Sequence, residues 1–98
     1  MNLYISHWYP YIESSTLEKQ MSCKTYVSHS DIDEDGYITI LYKGSDDDPN
    51  DYYDPVYKEY VYERIWHIDK EKLKQHVISA KENRIIEITE EIRKIKEL

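Results

Sequence analysis

An α+β fold, with an antiparallel sheet of three to four strands followed by one long C-terminal helix, is what the patterning of this chain predicts. Three observations carry it. Residues 69–98 contain neither Gly nor Pro and repeat apolar side chains at helical spacing. Upstream, runs rich in Tyr, Ile, Val and Trp read as strands, separated by turns bearing Gly, Asp and Pro. The length, 98 residues, suits a single domain, with a sheet portion at about 2–68 and a helix at about 69–97.

Residues 3–12 (LYISHWYPYI) are aromatic and β-branched and predict a strand whose end Pro10 demotes to an edge or a bend. In residues 13–21, Ser15 and Glu18 have capping-box spacing, which fits a single helical turn, with a plain loop as the alternative. Residues 23–29 and 37–43 predict two strands of an antiparallel hairpin, with Gly36 supplying the positive φ of the reversal. Residues 44–55 (GSDDDPNDYYDP) have the composition of a loop. Residues 56–68 satisfy both periods, and their density of Tyr, Val, Ile and Trp decides for strand over helix.

Asp69 is placed to cap the long helix, whose apolar positions are Leu73, Val77 and Ala80, then Ile85, Ile88, Ile92 and Ile95. The last four are spaced 3, 4 and 3, a narrow seam that packs on a sheet or on another helix. At 1.5 Å per residue the helix runs on the order of 45 Å and outreaches a four-stranded sheet. A homodimer through this seam is therefore expected alongside simple packing on the sheet. Glu90 and Lys94 have the spacing of a favourable ion pair, Glu87 and Glu91 that of a mild repulsion.

Charge is unevenly spread. Residues 30–55 hold nine acids (Asp31, Asp33, Glu34, Asp35, Asp46, Asp47, Asp48, Asp51, Asp54) against Lys43, while the remaining residues hold 11 acids and 12 bases. The formal net charge of −7 is thus one acidic block on a balanced scaffold. Such a field attracts cations or basic surfaces and repels nucleic acid. Eleven tyrosines and no phenylalanine give aromatic groups with a polar tip, suited to interfaces. The eight bases of the last helix are interleaved with seven acids, a solvated face rather than a phosphate-binding stripe.

Residues 31–39 (DIDEDGYIT) resemble the calcium loop of an EF-hand, with Asp31, Asp33 and Asp35 at positions one, three and five, Gly36 at six and Ile38 at eight. Alternate carboxylates wrap a hard cation, and glycine permits the sharp turn. Position twelve is Tyr42 instead of the bidentate Glu, and strands flank the loop where helices should stand. A carboxylate from Asp46, Asp47 or Asp48 would have to complete such a site. The bland alternative is a solvated acidic turn.

No catalytic apparatus is visible. His7, His29, His67 and His76 lack paired ligand spacing, no glycine loop cradles a phosphate, and Cys23 stands alone as a small hydrophobe expected to be buried. No apolar run spans a membrane and no secretory signal opens the sequence, so a cytoplasmic setting is expected, a host cytoplasm if the protein is viral. No cofactor is expected beyond the calcium alternative.

The function this predicts is a non-enzymatic acidic inhibitor or adaptor that docks on a basic protein surface. That surface could belong to a nucleic-acid-binding enzyme, whose groove is built to neutralise spaced negative charge. Asp46, Asp47, Asp48, Asp51 and Asp54 with Tyr52 and Tyr53 form the first candidate site, and Asp31, Asp33, Glu34 and Asp35 the second. A phage or mobile-element factor that blocks a host nuclease, in the manner of anti-CRISPR or antirestriction proteins, is the most concrete form, by analogy of charge and size alone. Alternatives are a calcium-binding module, a toxin-immunity protein and a structural viral or scaffold component.

Overall fold

The computed structural model describes residues 1–8 and 11–98. It is an α+β fold whose elements run β1 (Asn2–Trp8), β2 (Tyr11–Thr16), α1 (Leu17–Met21), β3 (Tyr26–His29), β4 (Tyr37–Lys43), β5 (Tyr52–Asp54), β6 (Glu59–His67) and α2 (Lys70–Lys96). The six strands form one antiparallel sheet in the order β2-β1-β6-β4-β3, with β5 also pairing β6.

The two strands beyond the expected number have local causes. The amino-terminal apolar run is a hairpin rather than one strand: β1 turns back into β2, from Trp8↔Tyr11 to Asn2↔Thr16. The bend expected at Pro10 lies outside the described residues. In the acidic loop, Tyr52, Tyr53 and Asp54 pair with Val61, Tyr60 and Glu59. Three tethered residues thus form a strand that loop composition concealed.

The β-branched and aromatic run read as strand is β6, the spine of the sheet. It pairs β4 along seven residues, from Tyr37↔His67 to Lys43↔Val61. Its other flank meets β5 at residues 59–61 and β1 at Tyr4↔His67. Because side chains alternate across a sheet, Ile38, Ile40, Tyr42 and Trp66 share one face, joined by Leu3 and Ile5 of β1, and these six are the buried core. Each aliphatic member contributes about 1.5–3 kcal/mol by leaving water.

The short helix α1 covers that face. Its cap is Thr16, one residue later than the capping-box spacing places it: Thr16 Oγ1 accepts from Lys19 N–H at 3.1 Å. Ser15 is drawn into β2, and its hydroxyl accepts from Gln20 Nε2 at 2.7 Å. Gln20 is buried, and its Oε1 accepts the Tyr42 hydroxyl at 2.6 Å, fastening helix to sheet. Cys23, expected to be buried, is exposed just past this helix.

Burial raises the ionisation of the Tyr42 hydroxyl above its ordinary value. The Trp66 indole N–H, which meets no acceptor at hydrogen-bonding geometry, and the Arg64 guanidinium partly offset that rise. A group whose pKa is raised by folding gives stability that is complete below the unfolded value, here 10.0, and is lost as pH climbs through the folded one. Thermal melts should therefore fall above about pH 10. Tyr42→Phe should be less stable at pH 8 by about 1–3 kcal/mol, because Gln20 loses its donor, yet show a shallower alkaline decline. An equal decline in both proteins would show that Tyr42 is not the responsible group.

The long helix begins on the opposite face. Asp69 caps it, its carboxylate accepting from Glu71 and Lys72 N–H at 3.0 and 3.2 Å. Leu73 is buried, Val77 is half-buried, and the His76 ring stands edge-on to Tyr37 at 5.9 Å. Ala80 and every residue after it are exposed, so two turns are anchored and the remainder projects, accounting for the 53 Å long dimension. Glu90 pairs with Arg93 rather than with Lys94, since the forked guanidinium also reaches Glu97 at 2.7 Å.

Candidate functional site

The acidic block divides in two. Residues 31–36 reverse the chain between β3 and β4, at one end of β4, and residues 44–51 leave its other end. The intervening seven-residue strand sets them about 20 Å apart at 3.3–3.4 Å per residue. A single continuous carboxylate surface is thereby excluded, and so is completion of the first turn by Asp46, Asp47 or Asp48.

In the first turn Asp33 works for the backbone. Its Oδ1 accepts from the N–H groups of Asp35 and Tyr37 at 2.9 and 2.8 Å, while its own N–H donates to the Tyr37 carbonyl at 2.8 Å. Among the described residues, no three His, Cys, Asp or Glu side chains converge as a metal cluster, so Asp31, Asp33 and Asp35 are not brought together. Tyr42, at the position of the missing ligand, is buried at the far end of β4. Behind the turn sits His67, which is buried. Its Nδ1 accepts from Asp69 N–H at 2.8 Å, so its proton is on Nε2 and donates to the Asp35 carbonyl at 2.9 Å. One imidazole thus joins the turn to the cap of α2. Burial, then the charges of Asp33 and Asp35, raise the Tyr37 hydroxyl above its ordinary range.

In the second segment three of the five acids also hold amides. Asp51 Oδ2 accepts from Ser45 N–H at 2.6 Å, Asp48 Oδ1 from Asn50 N–H at 2.9 Å, and Asp54 Oδ1 from Val56 N–H at 2.9 Å. Loop geometry thus explains Asp48, Asp51 and Asp54 without reference to a partner. Asp46 and Asp47 carry no such burden among the described contacts and are exposed.

Beside these acids the β5–β6 hairpin exposes aromatic surface that sequence reading found only in part. Tyr52 and Tyr53 are 43% and 52% exposed, and Tyr57 and Tyr60 are exposed as well. Tyr53 and Tyr60 pair edge-on at 5.5 Å, and Val56 is 79% exposed at the hairpin tip. Their signal lay in the short spacing from Tyr52 to Tyr60, which fits a hairpin with a four-residue turn. Lys58 closes that turn with φ 54°, its N–H donating to Asp54 O at 2.7 Å.

An open groove runs from this hairpin onto the sheet, lined by Asp48, Asp51, Tyr52, Tyr62, Glu63 and Arg64. Arg64 lies over the Tyr42 and Tyr62 rings at 5.7 and 5.8 Å, and these rings stack at 5.2 Å. Partial burial, then Glu63 and Asp54, raise the Tyr52 hydroxyl above its ordinary value. Flat rings beside carboxylates suit contact with guanidinium and ammonium groups. No helix is long and apolar enough to cross a membrane. Neither family models, nor curated proteins, nor solved structures yield a match to this chain.

Proposed function

We propose that this protein is a non-enzymatic binding protein that docks on a basic protein surface through the β5–β6 hairpin and the adjoining acidic loop. The observation that carries the reading is the coincidence of four exposed tyrosines with the unencumbered carboxylates of Asp46 and Asp47 at one end of the sheet. Aromatic rings supply contact area with little entropy to lose, and acids at the rim steer and align a basic partner. A groove that binds nucleic acid offers the matching surface, since it already accepts negative charge and flat rings. An inhibitor of a host nuclease carried by a mobile element is the specific form we favour. The acidic turn at residues 31–36 is too distant to join the same small footprint and would touch only an extended partner.

The test is calorimetric titration of purified basic, DNA-binding nucleases with the full chain, with competing duplex DNA as a second readout. Binding should weaken as salt rises. Neutralising Asp46 and Asp47 to Asn, which leaves the amide-holding acids intact, should weaken it about tenfold at low salt and flatten the salt dependence. Replacing Tyr52 and Tyr53 with Ala should weaken it at all salt concentrations. Affinity indifferent to salt and to both pairs of substitutions would overturn the assignment.

A further inference from the structure

The exposed part of α2 carries a pattern that the single chain does not use. Written as heptads, positions a are Ile78, Ile85 and Ile92, and positions d are Lys81, Ile88 and Ile95, so five of six seam positions are isoleucine. These five side chains are 46%, 63%, 48%, 41% and 67% exposed in the order Ile78, Ile85, Ile92, Ile88, Ile95. Among the described residues the helix packs against the sheet upstream of them, at Leu73, His76 and Val77. A stripe of this kind held in water over three heptads is the signature of a coiled coil.

The charges sort in the same way. Arg84 pairs with Glu87, and Arg93 with Glu90 and Glu97, all within the helix. Glu91 and Lys96, at positions g and e bordering the seam, make no ion pair among the described residues. In a parallel assembly a g side chain meets the e side chain five residues on in its neighbour, so Glu91 faces the partner's Lys96. An antiparallel arrangement with Ile85, Ile88, Ile92 and Ile95 in layers would set Glu91 against the partner's Glu91.

We infer that α2 joins two further copies of this chain in a parallel three-stranded coiled coil over residues 78–95. Isoleucine at both a and d selects three or four strands, whereas two strands prefer leucine at d. The number is three rather than the two expected from the seam spacing alone. Lys81 makes one polar layer, its stem packed and its ammonium reaching outward, which specifies register at a cost in stability. This assembly is independent of the proposed docking site, because α2 departs from the His67 end of β6 and the hairpin lies at the Glu59 end.

Sedimentation equilibrium of the full chain from micromolar to millimolar concentration tests it. The expected limiting mass is about 36 kDa, three times the 11.9 kDa chain. A limiting mass of one or two chains overturns it. Ile88→Lys with Ile92→Lys should give a monomer whose near-ultraviolet dichroism is unchanged, since both side chains lie outside the core. Ile88→Leu with Ile95→Leu should lower the limiting mass to two chains. Glu91→Lys should raise the half-assembly concentration about tenfold or more, and adding Lys96→Glu should restore it. Failure of that rescue overturns the parallel arrangement.

Discussion

Replacing Trp66 with alanine is expected to remove a large share of the stability of this protein. Trp66 is fully buried, opposite Ile38 on the covered face of the sheet, in a cluster of six buried residues among those described. Truncating a buried tryptophan costs about 3–5 kcal/mol. A domain of this length holds about 5–15 kcal/mol in total, so the loss runs from about a fifth of the whole upward. The indole nitrogen adds a distinguishing feature: it is buried without a hydrogen-bond partner. Trp66→Phe removes that unsatisfied group along with part of the ring, and should cost clearly less than Trp66→Ala. Urea titrations of the three proteins decide the point. An alanine variant whose urea midpoint matches that of the parent would mean that the core lies elsewhere.

Gly36→Ala should be strongly destabilising for a single added methyl. Gly36 has φ +93°, and a Cβ there would approach His67 Cε1 to 2.9 Å and Ile68 Cγ1 to 3.3 Å. The backbone alone accounts for about 1–3 kcal/mol of strain. The clash adds to it, because His67 cannot retreat without releasing the Asp35 carbonyl or the Asp69 amide. Amide exchange should therefore accelerate in two places at once, in the turn at residues 33–37 and in the first turn of α2. Faster exchange confined to the turn would show that the imidazole does not couple them.

How much of this was legible in the sequence depends on whether local or distant residues set each feature. The helix from residue 70, its Asp69 cap and the strand at residues 59–67 are written in period and composition, and the structure bears them out. β5 was hidden because Tyr52, Tyr53 and Asp54 become a strand only by pairing with a neighbour already in place. Thr16 displaced Ser15 as a cap because β2 continues to Thr16, so the helix cannot start earlier. The candidate acids were all visible, but their division of labour was not. Whether an aspartate holds its own loop or faces a partner depends on backbone amides two to six residues away along the chain, which only the folded turn brings to the carboxylate. His67 carried no signal, since its importance arises from a turn 32 residues earlier in the chain.

The way β1 is attached has a thermal consequence. Its backbone meets β6 at the described pair Tyr4↔His67, yet its Leu3 and Ile5 complete the core. The amino-terminal hairpin is thus held to the sheet more by apolar burial than by a hydrogen-bonded ladder. Apolar burial weakens on cooling, whereas the ladder between β4 and β6 does not share that dependence. Near freezing, the grip on the hairpin slackens first, and the molecule behaves as a β4–β6 plate with a loosened leaf.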